Sequence, residues 1–490
     1  MNIIDLLRQA EGKTLEFKRD LSSPKNLLKT LVAFANTAGG KVIVGMDDNK
    51  QPLGLEHPLD EEERLCSLIT DSISPRLVPT IEMITVEDKT LLVVEVFLSG
   101  TRPHWLNADG PEAGVYVRLG STNRQADREL IAELRRSVEG VAFDESSMPG
   151  LSIDDLDMVA MKALFGDQRE LRENDLLTLH LLTREQGGLV PTKGAVLLFG
   201  KERTRHFPDA WVQCGRFVGR DKAVIFDHIE LYDPLPQAAD SIMLFLKKHA
   251  MRSADFSGIR RKDVWSIPLG ILREAVINAL VHADYSQRGA PIRVAFFDDR
   301  IEIENPGILL PGMTIEDMKQ GVSRIRNHVI ARIFRELKLI EQWGSGVRRM
   351  FREAEKQGLP EPKIEEIGMR LRFTVPLAEP LAPVEVGMQP RMRVHARTAQ
   401  GAQSGAQSGA QSVSVLVALS DTPLSAAEVM HLLGLESKTG AFKRTIKELL
   451  EQGLIEYTMP DKPNSRMQKY RLTVNGVSKL AAWLPQETPQ

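Results

Sequence analysis

Glu274, Asn278 and His282 recur at i, i+4 and i+8 within IPLGILREAVINALVHADYS, Ile267 to Ser286. At about 100° per residue these three share one stripe of a predicted helix. Leu272, Val276, Leu280 and Ala283 fall nearly opposite and read as its core face. A carboxylate, an amide and an imidazole in one stripe aim three hydrogen-bonding groups at the same place. The plainer alternative is the solvated face of an amphipathic helix.

Two glycine-bearing turns follow. Asp299 to Gly307 reads as a short alternating strand ending in Asn305-Pro306-Gly307. Leu339 to Met350 holds Gly344-Ser345-Gly346, a turn that opens a helix. Glycines let backbone N–H groups approach phosphate, and a helix N-terminus favours anions. This order of a Glu-x-x-x-Asn helix and two glycine turns resembles the GHKL nucleotide-binding fold. More closely it resembles the GHKL-related module behind Schlafen/AlbA-type domains in RecG-related bacterial regulators. The resemblance implies ATP and Mg²⁺ as cofactors. It implies that Glu274 orients or deprotonates the attacking water and that Asn278 offers its amide oxygen to Mg²⁺. Gly344 and Gly346 then sit near the phosphates, and Asn305 and Gly307 on the adenine side, where the family pattern has Asp-x-Gly. Arg324 and Arg326, between the two turns, occupy the position of a lid over the nucleotide. Whether the module turns ATP over stays open.

Four motifs mark the N-terminal region: Leu15-Glu16-Phe17-Lys18, Ala33 to Gly40, Val44 to Asp48, and Val115 to Arg124. In this order, over more than a hundred residues, they resemble the signature of the Schlafen/AlbA-type domain, which implies nucleic-acid binding. Arg118 and Arg124, beside a Gly-Ser-Thr-Asn turn, are candidates for phosphate contact; ion pairs with neighbouring acids are the alternative. In some Schlafens this domain cleaves RNA. On that reading Glu11, Glu16 and Asp47 or Asp48 would gather a divalent metal; otherwise they are strand and turn residues.

The elements that carry these residues divide the 490-residue chain. Residues 1–140 form the Schlafen/AlbA-type domain and 141–266 a connecting α/β segment. Residues 267–378 form the GHKL-like module. Residues 379–412 are a linker ending in three Gly-Ala-Gln-Ser copies, a composition that cannot bury a core. From 413 to 490 three predicted helices and two strands read as a winged helix. Ser425 and Ser437 stand at N-cap positions. Lys443, Arg444 and Lys447 lie on the outer face of its third helix, suited to phosphate contact in a major groove. Protein binding is the other common use of this fold. The expected fold class is α+β multidomain: a Schlafen/AlbA-like α/β domain, a GHKL-like (Bergerat-type) α/β sandwich and a C-terminal winged helix-turn-helix.

Composition bounds the function. Apolar content of 42% and charged content of 26% are ordinary for a globular protein, and a net charge of −3 gives no overall basic field. Two cysteines, Cys66 and Cys214, provide neither a disulfide framework nor a metal-ligand cluster. The N-terminus lacks a signal-peptide pattern and no apolar run is long enough to span a bilayer, so a cytoplasmic location is expected. A motor helicase needs G-x-x-x-x-G-K-[ST]; Gly12-Lys13-Thr14 ends that pattern, but Leu7 replaces its first glycine. The expectation is therefore an ATP-binding, DNA-binding transcriptional regulator, with RNA as a further partner and a homodimer as the assembly. A metal-dependent Schlafen-type nuclease and a protein-interaction scaffold are the alternatives.

Overall fold

The computed structural model describes residues 3–166, 171–250, 252–255, 262–340 and 346–377, then 415–416, 419, 424–432, 440–458, 469–473 and 475. The chain separates into two compact units, Met1–Gln389 and Pro390–Gln490. The expected linker lies outside the described residues. Among the described residues no helix is long and apolar enough to cross a membrane.

The first unit begins with a four-stranded sheet. Its strands are β1 (Leu15–Lys18), β2 (Gly40–Val44), β3 (Thr80–Val86) and β4 (Lys89–Val96), in the order β1-β2-β4-β3. Only β1 and β2 are parallel, joined by the buried helix α1 (Pro24–Asn36). The hairpin of β5 (Tyr116–Leu119) and β6 (Thr122–Gln125) leads into α2 (Arg128–Glu139). Asp127 caps α2 by accepting from Leu130 N, and Gly140 ends it at φ +72°. The segment Leu119–Arg124, which reads in sequence as a turn alone, is thus a tight hairpin.

The second half of this unit is a six-stranded sheet. Its strands are β7 (Val212–Phe217), β8 (Ile225–Leu231), β9 (Ile292–Phe296), β10 (Arg300–Pro306), β11 (Lys363–Ile367) and β12 (Arg370–Pro376). Their order is β8-β7-β9-β10-β12-β11, with β7 and β9 parallel. Helices α3 (Lys193–Phe199), α4 (Leu235–His249) and α5 (Leu269–His282) pack with it, and α5 lies against α4 and β10.

This moves the boundary expected at residue 267. The supposed connector supplies two sheet strands, and its Leu197, Cys214 and Leu246 share one buried core with Leu272, Phe296 and Val375. The physical reason is the parallel β7–β9 pair, which needs a long crossover and so draws α4 and α5 into the module. The helix α3 is capped where Thr192 Oγ1 accepts from Ala195 N.

In the second unit, α6 (Ala426–Leu432), α7 (Gly440–Glu451) and the antiparallel pair β13 (Ile455–Tyr457) and β14 (Tyr470–Leu472) surround a small core including Val429, Ile446 and Leu454. Ser425 and Glu428 cap α6 reciprocally, each backbone N–H donating to the other's side chain. Ser437 and the wing tip at 461–468 lie outside the described residues.

Candidate nucleotide site and the N-terminal motifs

Helix α5 carries Glu274, Asn278 and His282 on its partly buried side, between fully buried neighbours Ala275, Ile277, Ala279 and Val281. All three line a cavity of about 270 Å³, together with Asn305, Gly307, Arg324, Arg326 and Gly346. Residues over seventy positions apart thus meet, because β10 lies under α5 and the helix α8 (Gly346–Lys356) packs beside it. Gly344 lies outside the described residues.

The glycines are held to type by their surroundings. A Cβ on Gly346 would come within 1.8 Å of Glu274 Oε1. Gly307 has φ +98°, and a Cβ there would meet Asp284 Cβ at 2.9 Å. Glu274 Oε2 accepts from Arg349 Nη2 at 2.9 Å. Asn305 is buried at the end of β10, and its amide donates to Pro306 O at 3.1 Å. Burial, and then the Arg326 guanidinium, push the His282 imidazole down to about 4, so it is neutral near pH 7.

Such a cavity, with apolar walls, a few convergent polar groups and glycines at close approaches, has the character of a small-ligand site. It provides one carboxylate and one amide for a cation, enough only where phosphate oxygens complete the coordination. Among the described residues no group of three or more His, Cys, Asp or Glu could hold a metal by itself.

The two lid arginines differ. Arg324 is exposed and donates to Pro311 O at 2.7 Å. Arg326 is buried, pairs with Glu133 of α2 and donates to Ile308 O. Of the two residues expected at the lid position, Arg326 already has a buried partner for its charge. Asn327, fully buried, donates to Val281 O and Ala283 O at 2.8 Å and closes the end of α5. Asp284, overlooked in the sequence, sits under Gly307 and accepts from Ser286 N and Oγ. Its only sequence signal is its place just past a helix end.

The N-terminal motifs converge on Arg118, and this corrects its expected role. Its side chain is 1% exposed, so no solvent-borne phosphate reaches it. It pairs with Glu16 and donates to Gly12 O (3.0 Å) and Asn123 Oδ1 (2.9 Å), while its backbone N–H donates to Thr37 Oγ1. The neighbouring Asn36 donates to His104 O and Tyr116 O, tying α1 to β5. Three of the four motifs are therefore joined through one buried arginine.

The acidic cluster expected of a nuclease is not assembled. Glu16 is held by Arg118 and Lys18, Glu11 accepts from Phe17 N, and Asp47 accepts from Asn49 N and Gln51 N in its own turn. Arg124 is exposed on β6. Lys443, Arg444 and Lys447 fall on α7; Lys447 is exposed, with Glu451 at 3.7 Å.

Comparison with known proteins covers most of these elements. Residues 11–127 match the family model described as Schlafen, AlbA_2. Residues 289–375 match the model HATPase_c_4, "Putative ATP-dependent DNA helicase recG C-terminal". Residues 411–473 match the C-terminal domain of the Fic-like protein, filamentation induced by cAMP. No curated protein matches the chain. Among solved structures, the DIP2311 protein from Corynebacterium diphtheriae aligns at 19% identity over 99% of this chain and 98% of its own, with a TM-score of 0.41. The N-terminal domain of a RecG-related protein from Nitrosomonas europaea aligns at 29% identity over 26% of this chain and 94% of its own, with a TM-score of 0.22. The chain is thus a mixed α+β multidomain protein that carries a Schlafen/AlbA_2 domain and an HATPase_c_4 domain of the RecG C-terminal type.

Proposed function

We propose that the protein is a cytoplasmic, ATP-binding and nucleic-acid-binding transcriptional regulator. The observation that carries this reading is the convergence of Glu274 and Asn278, from α5, with Asn305, Gly307 and Gly346, from the HATPase_c_4 match at 289–375, on one cavity. In this reading Asn278 offers its amide oxygen to Mg²⁺, with phosphate oxygens filling the remaining positions. Gly346 leaves room for the phosphates at the start of α8, Gly344 is assigned to the same role from its place in the sequence, and Asn305 and Gly307 face the adenine. When bound, Mg²⁺-ATP supplies a phosphoanhydride open to attack by water. Glu274 can hold such a water on Oε1 while Arg349 fixes Oε2. Arg124 and the Lys443–Arg444–Lys447 face of α7, read as a winged helix, are the assigned nucleic-acid contacts. RNA binding, a homodimer and weak ATP turnover belong to the same reading.

The test is calorimetry of Mg²⁺-ATP on wild type, Asn278→Ala and Glu274→Gln. Wild type binds, Asn278→Ala binds at least about tenfold more weakly, which is roughly 1.4 kcal/mol, and Glu274→Gln keeps affinity but loses any turnover. Absence of heat for wild type, at concentrations that detect a dissociation constant of about 100 μM, overturns the nucleotide reading.

A further inference from the structure

A second cavity, of about 290 Å³, opens where α2 faces the segment 310–328. Its walls carry Arg102, Arg136, Arg324 and Arg326 against Glu133 and Asp284. Arg326 is committed to Glu133, with Asp284 at 3.9 Å. The other three are not so neutralised: among the described residues none forms an ion pair with a carboxylate within 4.0 Å. Arg102 uses three of its five N–H donors on Ser137 Oγ, Ser137 O and Ser99 O, which leaves two for a ligand. Arg136 lies over the ring of Phe143, 5.3 Å from its centroid, and Lys193 adds a further cation at 4.3 Å from the same ring.

Three arginines without a paired carboxylate line this cleft, and Lys193 lies against its Phe143 wall, an excess of positive charge that favours an anion. Two of these charges are disfavoured by burial and by a neighbouring cation. Burial, and then Arg324, hold the Arg102 guanidinium below its ordinary range. Burial, and then Arg136, do the same for the Lys193 ammonium. A separate observation points the same way. Arg326 Nε, on a buried side chain of this wall, has no hydrogen-bond partner, and an unpaired guanidinium N–H calls for an acceptor. Glu133 Oε2 and Asp284 Oδ2 are unpartnered too, but as acceptors they call for donors.

We propose that this cleft is a second anion site, which takes the di- or triphosphate group of a small phosphorylated ligand. Its size favours a small ligand over the backbone of a nucleic acid. Arginine forks here can bind phosphate oxygens in pairs. The inference does not rest on ATP filling the first cavity, although Arg324 lines both.

Inorganic pyrophosphate is the probe, titrated calorimetrically into the full chain. Wild type binds it; Arg102→Gln and Arg136→Gln each weaken it at least about tenfold, the loss of one charge-assisted contact; Asn278→Ala leaves it unchanged. Lys193→Gln serves as a further variant, read the same way, should Arg102→Gln lower the melting temperature of the unliganded protein. Three results would each overturn the proposal: no binding to wild type at millimolar pyrophosphate, binding lost only in Asn278→Ala, or binding indifferent to all the arginine and lysine variants. A single-stranded oligonucleotide that binds through these same residues while pyrophosphate does not would also overturn it.

Discussion

At residue 346 the helix start and the Glu274 carboxylate compete for the same space. An added Cβ would lie 1.8 Å from Oε1, at the far end of a flexible side chain, so the carboxylate rather than the backbone gives way. Gly346→Ala should therefore fold with stability within about 1 kcal/mol of wild type, since alanine favours a helix. It should weaken Mg²⁺-ATP binding in calorimetry, because the displaced carboxylate and the new methyl enter the phosphate end of the cavity. His282 makes a pH prediction. Its pKa is depressed from the ordinary 6.5 to about 4. The stability linked to its neutral form is present above pH 6.5 and is lost as pH falls from there toward 4. His282→Gln should flatten the fall of the melting temperature between pH 6.5 and 5, and the wild-type imidazole resonance should stay neutral down to about pH 5.

The element that closes the nucleotide cavity is the helix His328–Glu336, and neither of its neighbours in sequence caps it with a side chain. Asp144, from the segment once taken as a connector, does so: Oδ1 accepts from His328 N and Oδ2 from Ile330 N, both at 2.9 Å. Burial raises this carboxyl to about 6, yet at pH 7 the ionised acceptor predominates. Asp144→Ala strands two N–H groups in a buried place and should cost about 2 kcal/mol in urea unfolding. A loss below a few tenths would mean that water replaces the cap. Asn327, just before this helix, instead satisfies carbonyls at the end of α5, so the two helices that flank the cavity are pinned to each other.

At the scale of the first unit, two charged pairs join the N-terminal region, the Schlafen/AlbA_2 match and the following helix α2, to the HATPase_c_4 region. Lys13 pairs with Glu366 at 2.7 Å, and Glu366 also accepts from Leu309 N. Glu133 pairs with Arg326, which also donates to Ile308 O. Between them Gly312 N donates to Thr37 O at 2.6 Å. The wall of the first cavity is thereby held by the N-terminal domain. Glu133→Leu leaves Arg326 buried without its main partner and should destabilise the unit by about 3 kcal/mol. Glu133→Leu combined with Arg326→Met should recover most of that loss, and equal losses in the single and double variants would show that the pair adds nothing.

The sequence by itself determined the stripes, the glycines and the order of motifs. Periodicity placed Glu274, Asn278 and His282 on one side of a helix, and glycine chemistry marked 307 and 346, because both signals are local in the chain. It could not show that Glu16 and Arg118 neutralise each other, since a charge reads the same whether it faces water or a partner 102 residues away. For that reason a buried structural arginine resembled a phosphate contact and a paired glutamate resembled a metal ligand. The sheet itself was also hidden. β8 alternates exposed and half-buried residues at an edge, and β7 finds its parallel partner β9 only after a long crossover. Burial, charge pairing and the pairing of distant strands are properties of the folded chain, and the tertiary structure alone decided them.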